Sequence, residues 1–214
     1  METTQTQRAP STYRPDLGIG YLFGKAWPVF KENLLVIVGS FAIYLLIGGA
    51  LGSSDLWGTG MAALTSLIGF VIAGPLVVGF YGILLRSLRG EQAQIPNLFD
   101  GFSRFGQAFG VYVLMIIAIV VGFIFLIIPG IIIAVGLWPA LFLVYDEDLG
   151  VTATLQEAWD MTRGHRLQLF LLGIVLMFVA AIGVLALGVG IFFTGAFASL
   201  VAAAAYEELS LGKA

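Results

Sequence analysis

Apolar residues run along this chain in long uninterrupted blocks, and the ionisable residues collect between the blocks. From Asn33 to Ser54 there is no Asp, Glu, Lys, Arg or His. The same holds from Leu56 to Leu85, from Phe105 to Tyr145 and from Leu167 to Tyr206. A spanning helix needs about 20 apolar residues to cross the hydrocarbon of a bilayer. The first two blocks therefore each hold one helix and the last two hold a pair each, which predicts six. Breakers place the turns within the pairs. Ile128-Pro129-Gly130 predicts a hairpin turn in the third block, because proline cannot continue the helical ladder and glycine takes backbone angles that other residues avoid. Gly188-Val189-Gly190 predicts the turn in the fourth, a weaker signal since glycine is common inside membrane helices, and one long helix is the alternative there. Pro75 and Pro139 lie within apolar segments and read as kinks.

Before each odd-numbered span lies a short stretch with apolar residues at helical spacing. These are Leu22, Phe23, Ala26, Trp27 and Phe30; then Leu98, Phe99, Phe102, Phe105 and Phe109; then Val151, Leu155, Ala158 and Trp159. Each predicts an amphipathic helix on the membrane surface. A triplet of apolar, small and aromatic residues recurs at i, i+3, i+4: Phe23, Ala26, Trp27; Leu98, Gly101, Phe102; Leu155, Ala158, Trp159. Lys31 and Arg163 each follow the aromatic by one turn, while the second copy has Gly106 there. The expected organisation is a polar tail, residues 1–15, and one membrane domain, 16–214, built as a possible three-fold internal repeat over about 17–90, 95–148 and 151–208. Thr154 and Glu157 have the spacing of a capping box at the start of the third surface helix.

Composition agrees with this picture: 59% of residues are hydrophobic and 11% charged, against roughly 25% charged in soluble domains. The expected fold class is all-α, a polytopic bundle of about six transmembrane helices with interfacial amphipathic helices. All ten Lys and Arg residues fall before helix one, between helices two and three, between four and five, or after six. Short loops rich in cations stay on the cytoplasmic side, so both termini are expected there, in the cell membrane; the opposite loops carry only Asp55. The tail lacks the apolar core of a cleavable signal peptide. The chain has no cysteine, which removes disulfides and thiolate chemistry. A formal charge of −3 gives no ground for a nucleic-acid partner.

One stretch resembles a known family. Residues 127–170 contain an apolar helix with Pro129-Gly130, a second ending in the acids Asp146 to Asp148, a short amphipathic helix with Glu157-Ala158-Trp159, and Gly164 opening the next span after a basic residue. This order is similar to the core of the glycerophosphoryl diester phosphodiesterase membrane-domain family and its YciC-like relatives. Members of that family often carry serine near the position of Ala158. The resemblance implies a membrane domain that accompanies a separate hydrolase domain, and no hydrolase activity is carried over, since a metal-dependent phosphodiesterase site wants several carboxylates with more than one histidine. Only His165 is present.

The positions singled out for structure or headgroup contact are Pro129, Gly130, Glu157, Trp159, Arg163, Gly164, His165 and Arg166. No catalytic, cofactor or metal residues are expected. Asp146 to Asp148 read as an exposed acidic turn, and Trp27, Trp138, Trp159, Tyr145 and Tyr206 as interfacial anchors. Gly48 with Gly52, and Gly106 with Gly110, form small-xxx-small pairs suited to helix packing. Polar residues within the spans, such as Ser40, Tyr44, Thr65, Tyr81, Thr194 and Ser199, are suited to hydrogen bonds between helices. No ionisable residue lies deep in a span, where ion-coupled transporters keep them. Three classes of function follow: a non-catalytic module that binds membrane lipid or organises a membrane-protein partner or homo-oligomer; a small permease, or a transporter subunit, for an uncharged or lipid-like substrate; and a membrane-embedded enzyme, for which no nucleophile and base pair is found.

Overall fold

Bilayer-length apolar runs fold as helices because every backbone polar group is then satisfied within the segment. The structure, a computed structural model, describes residues 14–52, 54–185 and 190–212, with side chains described for all of these but 52 and 54–60. In chain order it contains α1 (Ile19–Glu32), α2 (Leu34–Gly52), α3 (Ser54–Leu88), a 3-10 helix (Ile95–Arg104), α4 (Phe105–Phe125), α5 (Ile127–Leu137), α6 (Ala140–Asp146), α7 (Val151–Met161), α8 (Arg166–Leu185) and α9 (Gly190–Leu211). Among the described residues six stretches are long and apolar enough to cross a membrane: Leu34–Leu51, Met61–Leu88, Ile95–Phe125, Ile127–Asp146, Arg166–Leu185 and Gly190–Leu211. The chain is an all-α, multi-pass membrane protein.

The spans alternate in burial. The first, third and fifth bury few of their residues against the rest of the molecule, and the second, fourth and sixth bury about half. Burial in the second set is concentrated toward its C-terminal parts, at Leu76 to Leu85, Ala140 to Val144 and Ala196 to Leu209. Tyr81 stacks on Phe142 at 3.8 Å and Phe142 on Tyr206 at 5.1 Å, joining α3, α6 and α9 through one column of rings. Such pairs contribute about 0.5–1.5 kcal/mol each beyond their buried area. Elsewhere the large apolar side chains face outward, among them Leu35, Leu67, Ile124, Phe125, Phe178 and Leu185. The molecule therefore has a packed collar of inner helices and a lipid-facing apolar part.

The three amphipathic elements encase that collar, and each triplet presents its small residue to it. Ala26, Gly101 and Ala158 are all buried. The 3-10 helix lies on α3, where a Cβ at Gly79 would fall on the Leu98 carbonyl and one at Gly101 on the Pro75 carbonyl. α7 meets α4 through Val151 against Gly110, and α5 through Trp159 against Gly136. α1 closes the circuit on α9, with Phe23, Trp27 and Phe30 set around Phe197 at 5.4, 5.6 and 5.3 Å. Each element thus packs on an inner helix of the stretch before it, and the first packs on the last.

Several expectations are corrected. The turn between α4 and α5 falls at Leu126, in an extended conformation, two to four residues before the expected site. Pro129 is in the first turn of α5, where its missing N–H costs nothing because that donor has no helical acceptor. Gly130 serves close packing instead of a turn: a Cβ there would lie 2.6 Å from the Phe123 ring. Pro139 ends one helix and starts another, since α5 stops at Leu137 and α6 begins at Ala140. Asp55 belongs to α3, not to a loop. The fourth block, by contrast, holds the expected pair of helices, with Gly190 opening α9; Gly188 and Val189 lie outside the described residues. The second surface element is a 3-10 helix that stops at Arg104, so Phe105 and Phe109 belong to α4. Pro96 and the Gln94 amide bonded to Asn97 Oδ1 at 2.9 Å set its tight start.

Thr154 is not a cap, because Gly150 precedes the first turn of α7. Its buried hydroxyl donates to the Gly150 carbonyl at 3.1 Å and accepts from Gln107 at 3.3 Å. The hydroxyls of Thr65, Thr194 and Ser199 bond carbonyls of their own helices rather than neighbouring ones. Gly48 and Gly106 face open space, so of the two glycine pairs only Gly110 is shown in close packing.

Candidate functional site

Acids and cations at the ends of the spans converge on one polar layer of the collar. Arg89, just past α3, donates to Asp146 at 2.6 and 2.9 Å and to Glu207 at 2.6 Å. It joins the ends of α3, α6 and α9. Tyr206 donates to the same Asp146 at 3.1 Å. Arg86 bonds the Tyr145 hydroxyl at 2.6 Å and pairs with Asp100 at 3.3 Å, which ties the 3-10 helix to α3 and α6. Arg104 donates to the carbonyls of Val144 and Glu147 at 2.8 and 3.1 Å, the favourable place for a cation at a helix C-terminus. Lys25 pairs with Glu208 at 2.7 Å, and Tyr21 donates to the same oxygen at 3.1 Å.

The electrostatics follow from these contacts. Hydrogen bonds donated to Asp146, with the added charge of Glu207, raise the pKa of the Arg89 guanidinium above its ordinary value. The Glu208 carboxylate likewise raises the Tyr21 phenol. These acids are engaged as braces between elements. Two expectations change accordingly: Asp146 is held in an ion pair and not in an exposed turn, and Tyr206 is fully buried instead of anchoring at an interface.

The singled-out positions divide into two places. Pro129 and Gly130 sit at the α4–α5 turn. Glu157 and Trp159 lie on α7, Arg163, Gly164 and His165 form the turn after it, and Arg166 begins α8. Gly164 has φ of +82°, a left-handed angle that costs other residues and lets the chain reverse into α8. Arg163 is exposed and pairs with Asp160 at 3.3 Å, while His165 shares a hydrogen bond with Gln168 at 3.2 Å. Glu157, Arg163 and His165 line a wide, open depression of about 800 Å³. The Arg166 guanidinium lies 3.7 Å over the Trp159 ring and donates to the Trp159 carbonyl at 3.3 Å. Trp159 is itself pressed against Gly136, and the Thr162 hydroxyl donates to the Gly136 carbonyl at 3.2 Å.

Beside Arg166, between α5 and α8, runs an apolar groove of about 350 Å³. A second apolar cavity of about 310 Å³, among α5, α8 and α9, shares Val135 with it. The ion-paired layer of Arg89, Asp146, Glu207, Lys25 and Glu208 is what reading the residues missed. The signal was present, since acids close spans four and six and cations close span two. Spans that end at one level must bring those charges together.

No protein-family model, curated protein or solved structure matches this chain.

Proposed function

We propose that this protein is a non-catalytic membrane module that binds lipid, or organises a partner in the plane of the membrane, at its cation-rich end. The carrying observation is the collar. Its centre is filled by the Tyr81, Phe142 and Tyr206 rings, and Asp146, Glu207 and Glu208 are held by Arg89 and Lys25. Carboxylates used as braces are poorly placed to act as bases or metal ligands. What remains for recognition is the outer surface, where Arg163 and His165 line an open depression and Arg166, stacked on Trp159, borders an apolar groove. The filled centre also favours the module over a permease with a path between the inner helices. The similarity of residues 127–170 to a membrane domain that accompanies an enzyme supports the same reading. So does the placement of the amphipathic elements, which read as three copies of one unit, residues 17–90, 95–148 and 151–208.

Reconstitution separates the readings. Vesicles containing the protein are expected to show no faster movement of labelled solute or lipid than empty ones, while protein taken from native membranes retains lipid or a partner at near-equal ratio. Movement that stops when the inner helices are cross-linked would establish the permease instead. For orientation, we place both termini in the cytoplasm on the distribution of cations. Cysteines introduced at Ser53 and Ser210 are expected to label from opposite sides of intact cells, and labelling from the same side overturns the arrangement.

A further inference from the structure

We propose that the seam between α5 and α8 binds an anionic phospholipid, with its phosphate on the Arg166 guanidinium and one acyl chain in the groove alongside; this rests on the lipid-binding reading above. The cation is the first reason. Lys25, Arg86, Arg89 and Arg163 each have a carboxylate partner within 3.3 Å, and Arg104 is engaged by three carbonyls. Arg14, Lys31 and Arg166 have none among the described residues, and of these three Arg166 is the one both stacked on a ring and hydrogen-bonded. Stacking on Trp159 and one hydrogen bond to its carbonyl fix the guanidinium in place. A planar cation held this way keeps donors for a phosphate at little further cost in side-chain freedom.

Position is the second reason. Arg166 is the first residue of α8, and the next residue, Leu167, is 71% exposed. The groove that begins at Arg166 is walled by Leu167 and Phe170 on α8 and by Ile128, Ile132 and Val135 on α5, all apolar. A cation at the boundary of an apolar channel matches a molecule with an anionic head and a hydrocarbon tail, and the surrounding bilayer supplies such molecules.

Recurrence is the third. A groove of about 350 Å³ also lies between α2 and α9, walled by Leu35 and Val38. Those two residues stand at the same spacing from Trp27 as Leu167 and Phe170 do from Trp159. There Lys31 lies 5.7 Å over the Trp27 ring. The first and third units thus repeat an apolar groove at the same spacing from a tryptophan that carries a cation. The cation sits four residues after Trp27 in the first but seven after Trp159 in the third, where it also lines the groove.

Native mass spectrometry of the full chain, released from vesicles of mixed phosphatidylglycerol and phosphatidylcholine, tests the site. Wild-type protein is expected to retain phosphatidylglycerol preferentially. Arg166→Gln should lower that retention about tenfold, the effect of losing a charge-assisted pair, and lower phosphatidylcholine less, because choline offsets the charge of its phosphate. Arg166→Lys, which keeps the charge without the stacked fork, should fall between. Leu167→Trp, a substitution at an exposed wall position, should reduce retention of both lipids by filling the groove. Unchanged phosphatidylglycerol retention in both Arg166→Gln and Leu167→Trp overturns this site while leaving a lipid-binding module standing. Retention of neither lipid by the wild type overturns the lipid-binding reading itself.

Discussion

Lys25→Met is expected to destabilise the folded protein by about 2–3 kcal/mol, the cost of losing a charge-assisted bond to a buried carboxylate. The asymmetry of the pair sets this size. Glu208 is 1% exposed and Lys25 29% exposed, at 2.7 Å. Removing the lysine takes the charged donor from a buried carboxylate, which keeps the Tyr21 hydroxyl from α1. Removing the acid leaves a cation that water can reach. Glu208→Gln should therefore cost less than Lys25→Met, and the double variant should recover most of the loss. Unfolding in mixed micelles across this double-mutant cycle gives the coupling. A Lys25→Met protein within about 0.5 kcal/mol of wild type, the range of ordinary surface substitutions, would show that the Lys25–Glu208 pair does not help to hold α1 on α9.

This contact also shows how far the residues alone carry the fold. That α1 is amphipathic, with Leu22, Ala26 and Phe30 on one face, is written in the spacing, and those three are its buried residues. That its partner is α9, at the other end of the chain, is not. Helical periodicity identifies a face that must be covered but not the surface that covers it. The six spans were legible for a similar reason, since length and apolarity act within each segment. Turns were legible only in part. Pro129-Gly130 marks the neighbourhood of a reversal, but proline fits the first turn of a helix as well as the loop before it. The break at Leu126 depends on how closely α4 and α5 approach at Gly122 and Gly130, where a Cβ on Gly122 would lie 3.0 Å from the Gly130 backbone. The 3-10 geometry of residues 95–104 was hidden too. Its apolar spacing suits either helix, and contact with α3 at Gly79 and Gly101 accompanies the tighter one.

The candidate site divides along the same line. Trp159, Arg163, Gly164 and Arg166 stood out as an interfacial group because aromatic and basic residues gather where a surface helix meets a span. Their geometry, with Arg166 lying on Trp159 and Arg163 diverted to Asp160, depends on the reversal at Gly164. The braces of the collar were illegible individually. Arg89 looks like any loop cation until three span ends are brought to one level, and only then do Asp146 and Glu207 become its partners.

Gly79→Ala is the sharpest test of how that collar is assembled, with an expected loss of about 3 kcal/mol from forcing atoms into a filled contact. A methyl group at most glycines meets a side chain that can turn away. At Gly79 it meets the carbonyl oxygen and carbon of Leu98, and the Asn97 carbonyl oxygen at 3.3 Å. Backbone cannot rotate aside, so the 3-10 helix must lift off α3. Lifting it also stretches the Arg86–Asp100 pair at 3.3 Å and uncovers Leu98, which is fully buried. Gly101→Ala should act on the same interface, since its Cβ would fall on the Pro75 carbonyl and 2.7 Å from the Gly79 nitrogen. Once one substitution has displaced the segment the second has less to displace, so the double variant should cost less than the two single losses combined. Gly106→Ala supplies the contrast. It lies in α4 with nothing within 4 Å of the added methyl, and alanine there should stabilise by about 0.5–1 kcal/mol through helix propensity alone. Thermal unfolding of the three variants in one detergent decides the matter: a Gly79→Ala midpoint at or above that of Gly106→Ala would mean that the 3-10 helix is not seated on α3.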